Sequence, residues 1–230
     1  MSGYPLSDAA NTFESQQAQL KQGIVDITNE LFAVDIVTAT GGNVSARLPG
    51  TDIIWITPSK MFKGGLTADD LIHVDLDGNM VEGRTHPSIE APLHTGIYRA
   101  REDVLAVIHS HAPYATAIGL AGICFPPITF DGFLISKLPI VSFALSGEEL
   151  AQAVLATVGN WPGAFLQNHG FLAIGKDLRS AANLTLTVEH MGKVLTIARL
   201  LGGNAELPTL PQYIRTAMDA MAADIMKMAY

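Results

Sequence analysis

Two histidines, His109 and His111, directly follow an apolar run over residues 104–108. That run predicts a buried strand, and side chains two positions apart on a strand project to the same face. Two neutral imidazoles held side by side supply half of a metal site. An H-x-H pair also arises by chance, or as one core histidine beside an exposed one, so the other ligands must come from elsewhere in the chain.

The best third ligand is His169. It lies in the turn Asn168-His169-Gly170, between two short apolar runs that predict strands. Three histidines form a nitrogen ligand set that suits Zn²⁺ and equally Mn²⁺, Co²⁺ or Fe²⁺. Three protein ligands leave a coordination position open, which is typical of a catalytic rather than a structural site.

Glu90 is the candidate acid–base group. Apolar residues at every fourth position from Ile89 to Ile97 predict a helix that Ser88 caps, with Glu90 in its first turn. A carboxylate in that position often only complements the helix dipole, but beside a metal it can complete the ligand shell or take a proton. His94, one turn later, is interpreted as a histidine that packs in the core or supports the ligands. A Lewis acid with a nearby carboxylate suits chemistry next to a ketone: making or breaking a C–C bond, epimerisation or loss of CO₂.

Two polar turns are candidate substrate contacts. Thr40-Gly41-Gly42-Asn43 can turn backbone N–H groups toward an anion, although a plain tight turn is the commoner meaning of two glycines. Thr57-Pro58-Ser59-Lys60 places hydroxyls and an ammonium at the end of a strand, where they suit a carboxylate or a phosphate. A solvated turn explains the second segment equally well.

Composition narrows the class of protein. With 230 residues, 48% of them hydrophobic, the chain predicts one large α/β domain over residues 1–230. A net charge of −8 with scattered basic residues argues against nucleic-acid binding, and no apolar run is long enough to span a membrane. Cys124 is the single cysteine, and the N-terminus has no signal-peptide pattern, so we expect a cytoplasmic protein that acts on a small molecule.

Periodicity places the remaining elements. Residues 125–139, interrupted by proline and glycine, are expected to form an irregular loop that is covered by another part of the structure, with a second subunit as one candidate. Ser146 and Glu149 predict a capping box for a helix that ends near residue 158. Asp-Gly and Asn-His-Gly turns imply antiparallel neighbours in a sheet with helices on its faces. Further helices are predicted over residues 11–34, 115–120, 178–201 and 211–229.

Five segments, taken in order and spacing, resemble the class II aldolase/adducin head-domain family, which contains fuculose-phosphate aldolase and ribulose-phosphate 4-epimerase. The resemblance covers about residues 13–201, and the ordered set is far more specific than any one motif. The segments are Thr40-Gly41-Gly42-Asn43, Ile56-Thr57-Pro58-Ser59, Pro87-Ser88-Ile89-Glu90, His109-Ser110-His111 and Gln167-Asn168-His169-Gly170.

The resemblance implies a three-layer α/β/α fold with a mostly antiparallel central sheet, class II aldolase-like. It also implies a homotetramer with active sites between adjacent subunits. It makes the three histidines metal ligands and Glu90 an acid–base group that also reaches the metal. Positions that hold phosphate in sugar-phosphate members of the family correspond to Thr40, Asn43, Ser59 and Ser88.

Three positions depart from the family pattern. Ile89 replaces a serine of the phosphate-binding stretch, and each hydrogen bond lost to a charged group costs about 1.5–3 kcal/mol. Phe130 aligns with the tyrosine proton donor of the aldolase and cannot donate a proton; Tyr114, Tyr213 and Tyr230 are other hydroxyls. Lys60 stands where glycine is common and can pair with a substrate carboxylate.

These residues favour a divalent-metal-dependent carbon–carbon lyase that cleaves a small hydroxy-keto or sugar-like substrate through a metal-stabilised enolate. A decarboxylase of a keto or aromatic acid is the main alternative, because Lys60 adds charge where phosphate donors are fewer. A sugar-phosphate 4-epimerase ranks lower, since epimerases of the family often carry Asp where this chain has Glu90. A non-catalytic module like the adducin head ranks lowest, because that reading predicts loss of the metal ligands.

Overall fold

A single eight-stranded sheet forms the centre of the protein. The computed structural model describes residues 13–203 and 205–229. Neighbouring strands follow the order β4-β3-β2-β1-β5-β8-β7-β6. The strands are β1 (Asn43–Arg47), β2 (Ile54–Ile56), β3 (Ile72–Val74), β4 (Met80–Glu82), β5 (Ala106–Ser110), β6 (Ile140–Val141), β7 (Gly163–Leu166) and β8 (Gly170–Gly175).

The described residues contain seven α-helices. They are α1 (Phe13–Ala33), α2 (Ala91–Ala100), α3 (Pro113–Ala121), α4 (Phe130–Ile135), α5 (Glu148–Val158), α6 (Leu178–Gly202) and α7 (Gln212–Ala229). Helices α1, α3 and α6 pack on one face of the sheet and α2 and α5 on the other, which gives three layers. None of these helices has the length and apolar character needed to cross a membrane.

The sheet is antiparallel at every pairing except the parallel pair β6–β7, so it is mixed and mostly antiparallel. The Asp-Gly turn joins β3 to β4, and the Asn-His-Gly turn joins β7 to β8, as the turn residues predict. The predicted α/β/α fold is therefore confirmed.

Each face of the sheet has its own core, as strand alternation requires. On β5, Ala106 and Ile108 pack into the cluster formed with α1, α3 and α6. Val107, between them, packs into the opposite cluster with α2 and α5. His109 continues the Val107 side of the strand, which directs its imidazole toward the start of α2.

Helix α2 begins later than predicted. Its first residue is Ala91 and Glu90 occupies the N-cap position, without a capping hydrogen bond from its side chain. Ser88 does not cap the helix; its Oγ accepts a hydrogen bond from the Glu90 N–H at 3.2 Å. Pro92 in the first turn explains the shift, because proline is favoured there and lacks the N–H that a cap would satisfy.

Two further predictions about element boundaries are wrong. Residues 125–139 are not wholly irregular, since they contain α4, which Thr129 caps by accepting from Gly132 N–H at 2.9 Å. Helix α5 starts at Glu148 behind Gly147, whose φ of 100° is accessible to glycine, and no side chain caps it. Ser146 lines the cavity described below instead.

Candidate metal site and active site

Three strand ends bring the three histidines together. His109 lies on β5 and His111 follows just past its end, while His169 lies in the turn between β7 and β8. Because β5 runs antiparallel to β8, with Ser110 opposite Phe171, the end of one strand meets the start of the other. Their ligand nitrogens all lie within 4.8 Å of one another.

Backbone and burial fix the charge and tautomer of His109. Its imidazole is fully buried, and Nδ1 lies 3.2 Å from the Phe171 carbonyl, to which an Nδ1–H donates. The lone pair of Nε2 therefore points to the centre of the cluster. Burial lowers the pKa of His109 to about 3 and lowers the pKa of His111. Both imidazoles are neutral at neutral pH, which is the form that binds metals.

Glu90 completes the cluster from the α2 side. Its Oε1 lies 3.2 Å from His169 Nε2, and its Oε2 lies 3.5 Å from His109 Nε2. Burial alone raises the pKa of Glu90, but the imidazoles of His109 and His169 and the amide of Asn43 outweigh burial and hold the pKa well below its ordinary value. Glu90 is thus a buried carboxylate.

The donor set fits a divalent cation. His109 Nε2 lies 2.9 Å from His111 Nε2, so the bare lone pair of His109 must meet either a proton on His111 or a cation. Glu90 Oε1 is buried and makes no hydrogen bond of acceptable geometry. Neutral imidazoles with an unsatisfied carboxylate oxygen are ligands of borderline metals such as Zn²⁺ and Mn²⁺. His109, His111, His169 and Glu90 are the residues that could hold the ion.

Two glycines permit this close assembly. A Cβ at Gly170 would lie 2.1 Å from the Ser110 carbonyl oxygen and 3.2 Å from His109 Cε1. A Cβ at Gly41 would lie 2.8 Å from His111 Nδ1. At both positions the backbone lies so close to the histidine-bearing segment that a residue with a side chain would clash, so glycine is required.

A cavity of about 220 Å³ opens beside the cluster. All the polar residues predicted as substrate contacts line it, together with Ile89 and Ser146. The predicted contacts in its wall are Thr40, Asn43, Ser59, Lys60 and Ser88. Lys60 has a φ of 55°, a left-handed conformation in which glycine is free of strain, and this explains why lysine is an unusual choice there.

Lys63 also lines the cavity and was not predicted from the sequence. Its side chain is buried, with 1% of the residue exposed, and Nζ donates to the Pro58 carbonyl at 2.7 Å. Among the described residues no carboxylate pairs with it, and burial lowers its pKa to about 8. No local pattern distinguishes Lys63, because lysine after a strand is ordinarily a solvated residue.

Phe130 and the tyrosines considered as alternative proton donors do not line the cavity in the described residues of one chain. Phe130 begins α4, is 63% exposed and does not line the cavity. Tyr114 lies on α3, where its backbone N–H donates to Glu189 of α6 at 3.0 Å. Tyr213 on α7 is exposed, and Tyr230 lies outside the described residues. No tyrosine of the described residues reaches the cavity from within the same chain.

Comparisons with known proteins identify the family of this chain. A model of the class II aldolase and adducin N-terminal domain matches residues 22–196. The L-ribulose-5-phosphate 4-epimerase UlaF of Salmonella paratyphi B is 31% identical over 211 residues, which cover 85% of this chain and 91% of the relative.

Solved structures match over a similar length. The L-fuculose-1-phosphate aldolase of Thermus thermophilus aligns with a TM-score of 0.70 and 27% identity, covering 84% of this chain and 100% of the other. YgbL of Klebsiella pneumoniae, provisionally assigned as an aldolase/epimerase/decarboxylase, aligns with a TM-score of 0.76 and 27% identity, covering 87% of this chain and 98% of the other. The family match spans more than half of the sequence, and the chain belongs to the class II aldolase and adducin N-terminal domain family.

Proposed function

We propose that this chain is a divalent-metal-dependent carbon–carbon lyase that cleaves a small hydroxy-keto or sugar-like substrate. The observation that carries the proposal is the cluster of three imidazoles around a buried carboxylate whose Oε1 has no hydrogen bond. A structural site would use all its ligands on the ion, whereas three histidines leave room for a substrate. The matched relatives are named as enzymes, an epimerase and an aldolase, which weighs against a non-catalytic module.

The chemistry divides between the ion and Glu90. A divalent ion held by the histidines, Zn²⁺ or alternatively Mn²⁺, Co²⁺ or Fe²⁺, would polarise a substrate carbonyl or hydroxyl and stabilise negative charge that develops on it. Glu90 is ionised, and Oε1 is the oxygen without a donor, so it can take a proton from a substrate hydroxyl and return it to carbon. Burial of the cluster keeps bulk water away from that proton.

The cavity wall favours an anionic substrate. Two N–H donors of Lys63 have no acceptor among the described residues, and Lys60 lies three residues before it in the same loop. Hydroxyls of Thr40, Ser59 and Ser88 add neutral donors. A carboxylate or phosphate on the substrate would accept hydrogen bonds from these groups. It would also supply the counter-ion that the buried ammonium of Lys63 lacks, and a buried unpaired charge is costly.

Epimerisation is the second candidate, and the 31% identity to UlaF favours it. An epimerase and a lyase can share the same ion and the same carboxylate, and they differ in what becomes of the product. Decarboxylation stays open as the third outcome because Lys60 and Lys63 suit a carboxylate, and because the name of YgbL includes that activity.

A metal-loaded activity screen separates these reactions. Purified protein reconstituted with one ion at a time is incubated with ketose phosphates, hydroxy-keto acids and aromatic carboxylates, and the products are followed by NMR. A lyase releases an aldehyde, an epimerase yields an isomer, and a decarboxylase releases CO₂. Glu90→Gln protein, loaded with the same ion, is the control. Turnover that persists after complete removal of the metal would contradict the proposal.

We also propose a homotetramer with active sites between adjacent subunits. Large apolar side chains are exposed at the cavity and in the segment that leads to it. Ile89, which lines the cavity, is 66% exposed, and Phe143 and Leu145, which precede the lining residue Ser146 in the chain, are 60% and 63% exposed. A monomer would leave them in water, whereas a neighbouring subunit would cover them and bring residues of its own to the cavity. Sedimentation velocity at micromolar concentration measures the assembly, and a monomer at all concentrations would contradict it.

A further inference from the structure

One face of β1 and one face of α2 interlock through buried polar side chains. Alternate residues of a strand lie about 6.6–6.8 Å apart, and helix residues four apart rise about 6 Å, so the two series stay in step over two turns. Every member is buried. We name the set the polar ladder: Asn43, Ser45 and Arg47 from β1, with Glu90, His94 and Tyr98 from α2 and its N-cap.

Short contacts run without a break along the polar ladder. Asn43 Nδ2 donates to Glu90 Oε2 at 2.6 Å, and Asn43 Oδ1 contacts His94 Nε2. On the other side of the imidazole, His94 Nδ1 lies 2.7 Å from Ser45 Oγ, which lies 2.8 Å from Tyr98 Oη. A continuous chain of four hydrogen bonds therefore connects Tyr98 to the carboxylate at the cavity.

The donor and the acceptor of each hydrogen bond in this series can be assigned. Glu90 is ionised and can only accept, so the NH₂ of Asn43 must face it and the amide oxygen must face His94. That oxygen also only accepts, which puts the proton of His94 on Nε2. Burial lowers the pKa of His94 to about 4, so its Nδ1 is bare and accepts from the Ser45 hydroxyl. Ser45 in turn accepts from Tyr98, whose pKa burial raises.

The far end of the polar ladder is anchored. The Arg47 guanidinium lies over the Tyr98 ring, 5.3 Å from its centroid. It donates to the carbonyl oxygens of Tyr98, Arg101, Glu102 and Val104 at 2.7–3.1 Å. These carbonyls surround the C-terminal end of α2, so Arg47 holds that end of the helix against β1 and sets the position of the Tyr98 hydroxyl.

We propose that His94 is a positioning residue for Glu90: its Nε2–H holds the Asn43 amide with the NH₂ group toward Oε2, which leaves Oε1 as the oxygen that faces the substrate. The proposal rests on the proposed role of Glu90 in proton transfer. Without the His94 donor, the Asn43 amide can turn over, and its oxygen then faces a carboxylate oxygen. Two acceptors in contact repel, so Glu90 would move from the position in which Oε1 is free.

The tautomer of His94 tests the proposal without any substrate. Two-bond ¹H–¹⁵N spectra of the metal-loaded protein, with the His94 signals assigned by their absence in His94→Gln, distinguish protonated from bare ring nitrogens. We expect Nε2 protonated and hydrogen-bonded, with Nδ1 bare. A bare Nε2 with the proton on Nδ1 would overturn the proposal, because the Asn43 amide would then turn its NH₂ to His94 and its oxygen to Glu90. This result holds whichever reaction the protein catalyses, and holds even if none is found.

Kinetics then separate positioning from packing. His94→Gln keeps an N–H donor near the Nε2 position, and we expect kcat to stay within about threefold of wild type. His94→Leu removes the donor, and we expect kcat to fall about 10–100-fold with KM and bound metal unchanged. Ile97→Val, on the apolar side of the same helix, is the control that lowers the thermal midpoint and leaves kcat unchanged. If His94→Leu behaves like Ile97→Val, His94 only packs and the proposal fails.

A double-mutant cycle identifies the route. If His94 acts through Asn43, His94→Leu has little further effect on kcat in an Asn43→Ala background. Independent, multiplying effects of the two substitutions would contradict the route through the amide. Tyr98→Phe, which removes only the hydroxyl and keeps the ring under Arg47, is expected to lower kcat by about twofold at most, because Ser45 still donates to His94.

Discussion

The two faces of β1 follow different physical rules, although they share one backbone. Val44 and Ala46 face the core shared with α1 and α6, where stability follows the apolar area removed from water. Asn43 and Ser45 face α2, where each buried group must find a hydrogen-bond partner. On the apolar face a change of side-chain shape lowers the free energy of unfolding modestly. On the polar face a substitution that removes one donor or acceptor leaves its buried partner without a hydrogen bond. The proposed metal ligands and the proposed acid–base group lie on the second kind of face.

The largest effect is expected from removing a ligand. His109→Ala should abolish binding of a divalent ion and lower activity by at least about 1,000-fold, since two imidazoles and a carboxylate hold the ion far less well. The change also removes the hydrogen bond to the Phe171 carbonyl. His190→Ala, an exposed histidine of α6, is the matched control. Metal content by mass spectrometry and activity are the measurements, and one bound ion per chain in the variant would contradict the ligand assignment.

Glu90→Gln sharpens the comparison because it keeps shape and removes charge. We expect turnover to fall about 10²–10⁴-fold, the usual loss when an acid–base group is removed, while the three histidines retain the metal. The amide oxygen can still accept from Asn43. Parallel metal analysis and single-turnover kinetics check this. Loss of the metal together with activity would instead make Glu90 chiefly a ligand.

Acid should weaken the metal-free protein before it protonates carboxylates. His94 and His109 have pKa values of about 4 and 3 in the fold, against an ordinary value of 6.5, because burial penalises their charged forms. Between pH 6.5 and those values the unfolded chain binds more protons, so the free energy of unfolding falls as pH falls, by up to about 1.4 kcal/mol per pH unit for each histidine. Urea unfolding of chelated protein at pH 7.5, 6 and 5 measures the slope. A free energy of unfolding that does not change over this range would contradict the burial of neutral imidazoles.

Lys63→Met removes the buried charge and keeps the length of the chain. We expect KM for an anionic substrate to rise about 10–100-fold, in line with a lost hydrogen bond to a charged group of about 1.5–3 kcal/mol. The exposed Lys193→Met on α6 is the control and should leave KM unchanged. The free energy of unfolding should change little or rise, because an unpaired buried ammonium is costly. An unchanged KM would indicate that Lys63 only holds the loop through the Pro58 carbonyl and does not bind the substrate.

The smallest effect belongs to the apolar face. Ile108→Val on β5 should lower the free energy of unfolding by about 0.5–1.5 kcal/mol and leave kcat and KM unchanged, although Ile108 precedes His109 directly. Chemical denaturation and steady-state kinetics measure the two quantities. A large kinetic change would show that the two faces of the strand are coupled.

Much of the fold and the clustering of the three histidines could be predicted from the sequence, because they depend on local spacing. Alternation along β5 placed His109 and His111 on one side, and the Asn-His-Gly turn placed His169 at a strand end. The sequence predicts too early a start for α2, because Ser88 is a good capping residue; Pro92 in the first turn is the signal that places the start later. The helix α4 was missed because prolines and a glycine surround its short apolar run.

The polar ladder and Lys63 could not be predicted in the same way. The series of every second residue from Asn43 to Arg47 and of every fourth from Glu90 to Tyr98 are visible in the sequence, but nothing local says that β1 and α2 lie face to face. Lys63 is buried because the segment from Pro58 to Lys63 contributes to the cavity wall and brings its Nζ to the Pro58 carbonyl. Both features depend on tertiary contacts between segments whose pairing is not a local property.

Removal and return of the metal is the most direct test of the central claim, that an ion held by the three histidines drives the reaction. The protein is chelated, assayed with the substrate found by the screen, and titrated with Zn²⁺ or Mn²⁺ while activity and bound ion are measured together. The account predicts no turnover in the chelated protein and full recovery at one ion per chain. Undiminished turnover without bound ion, or recovery that His109→Ala protein shares, would contradict it.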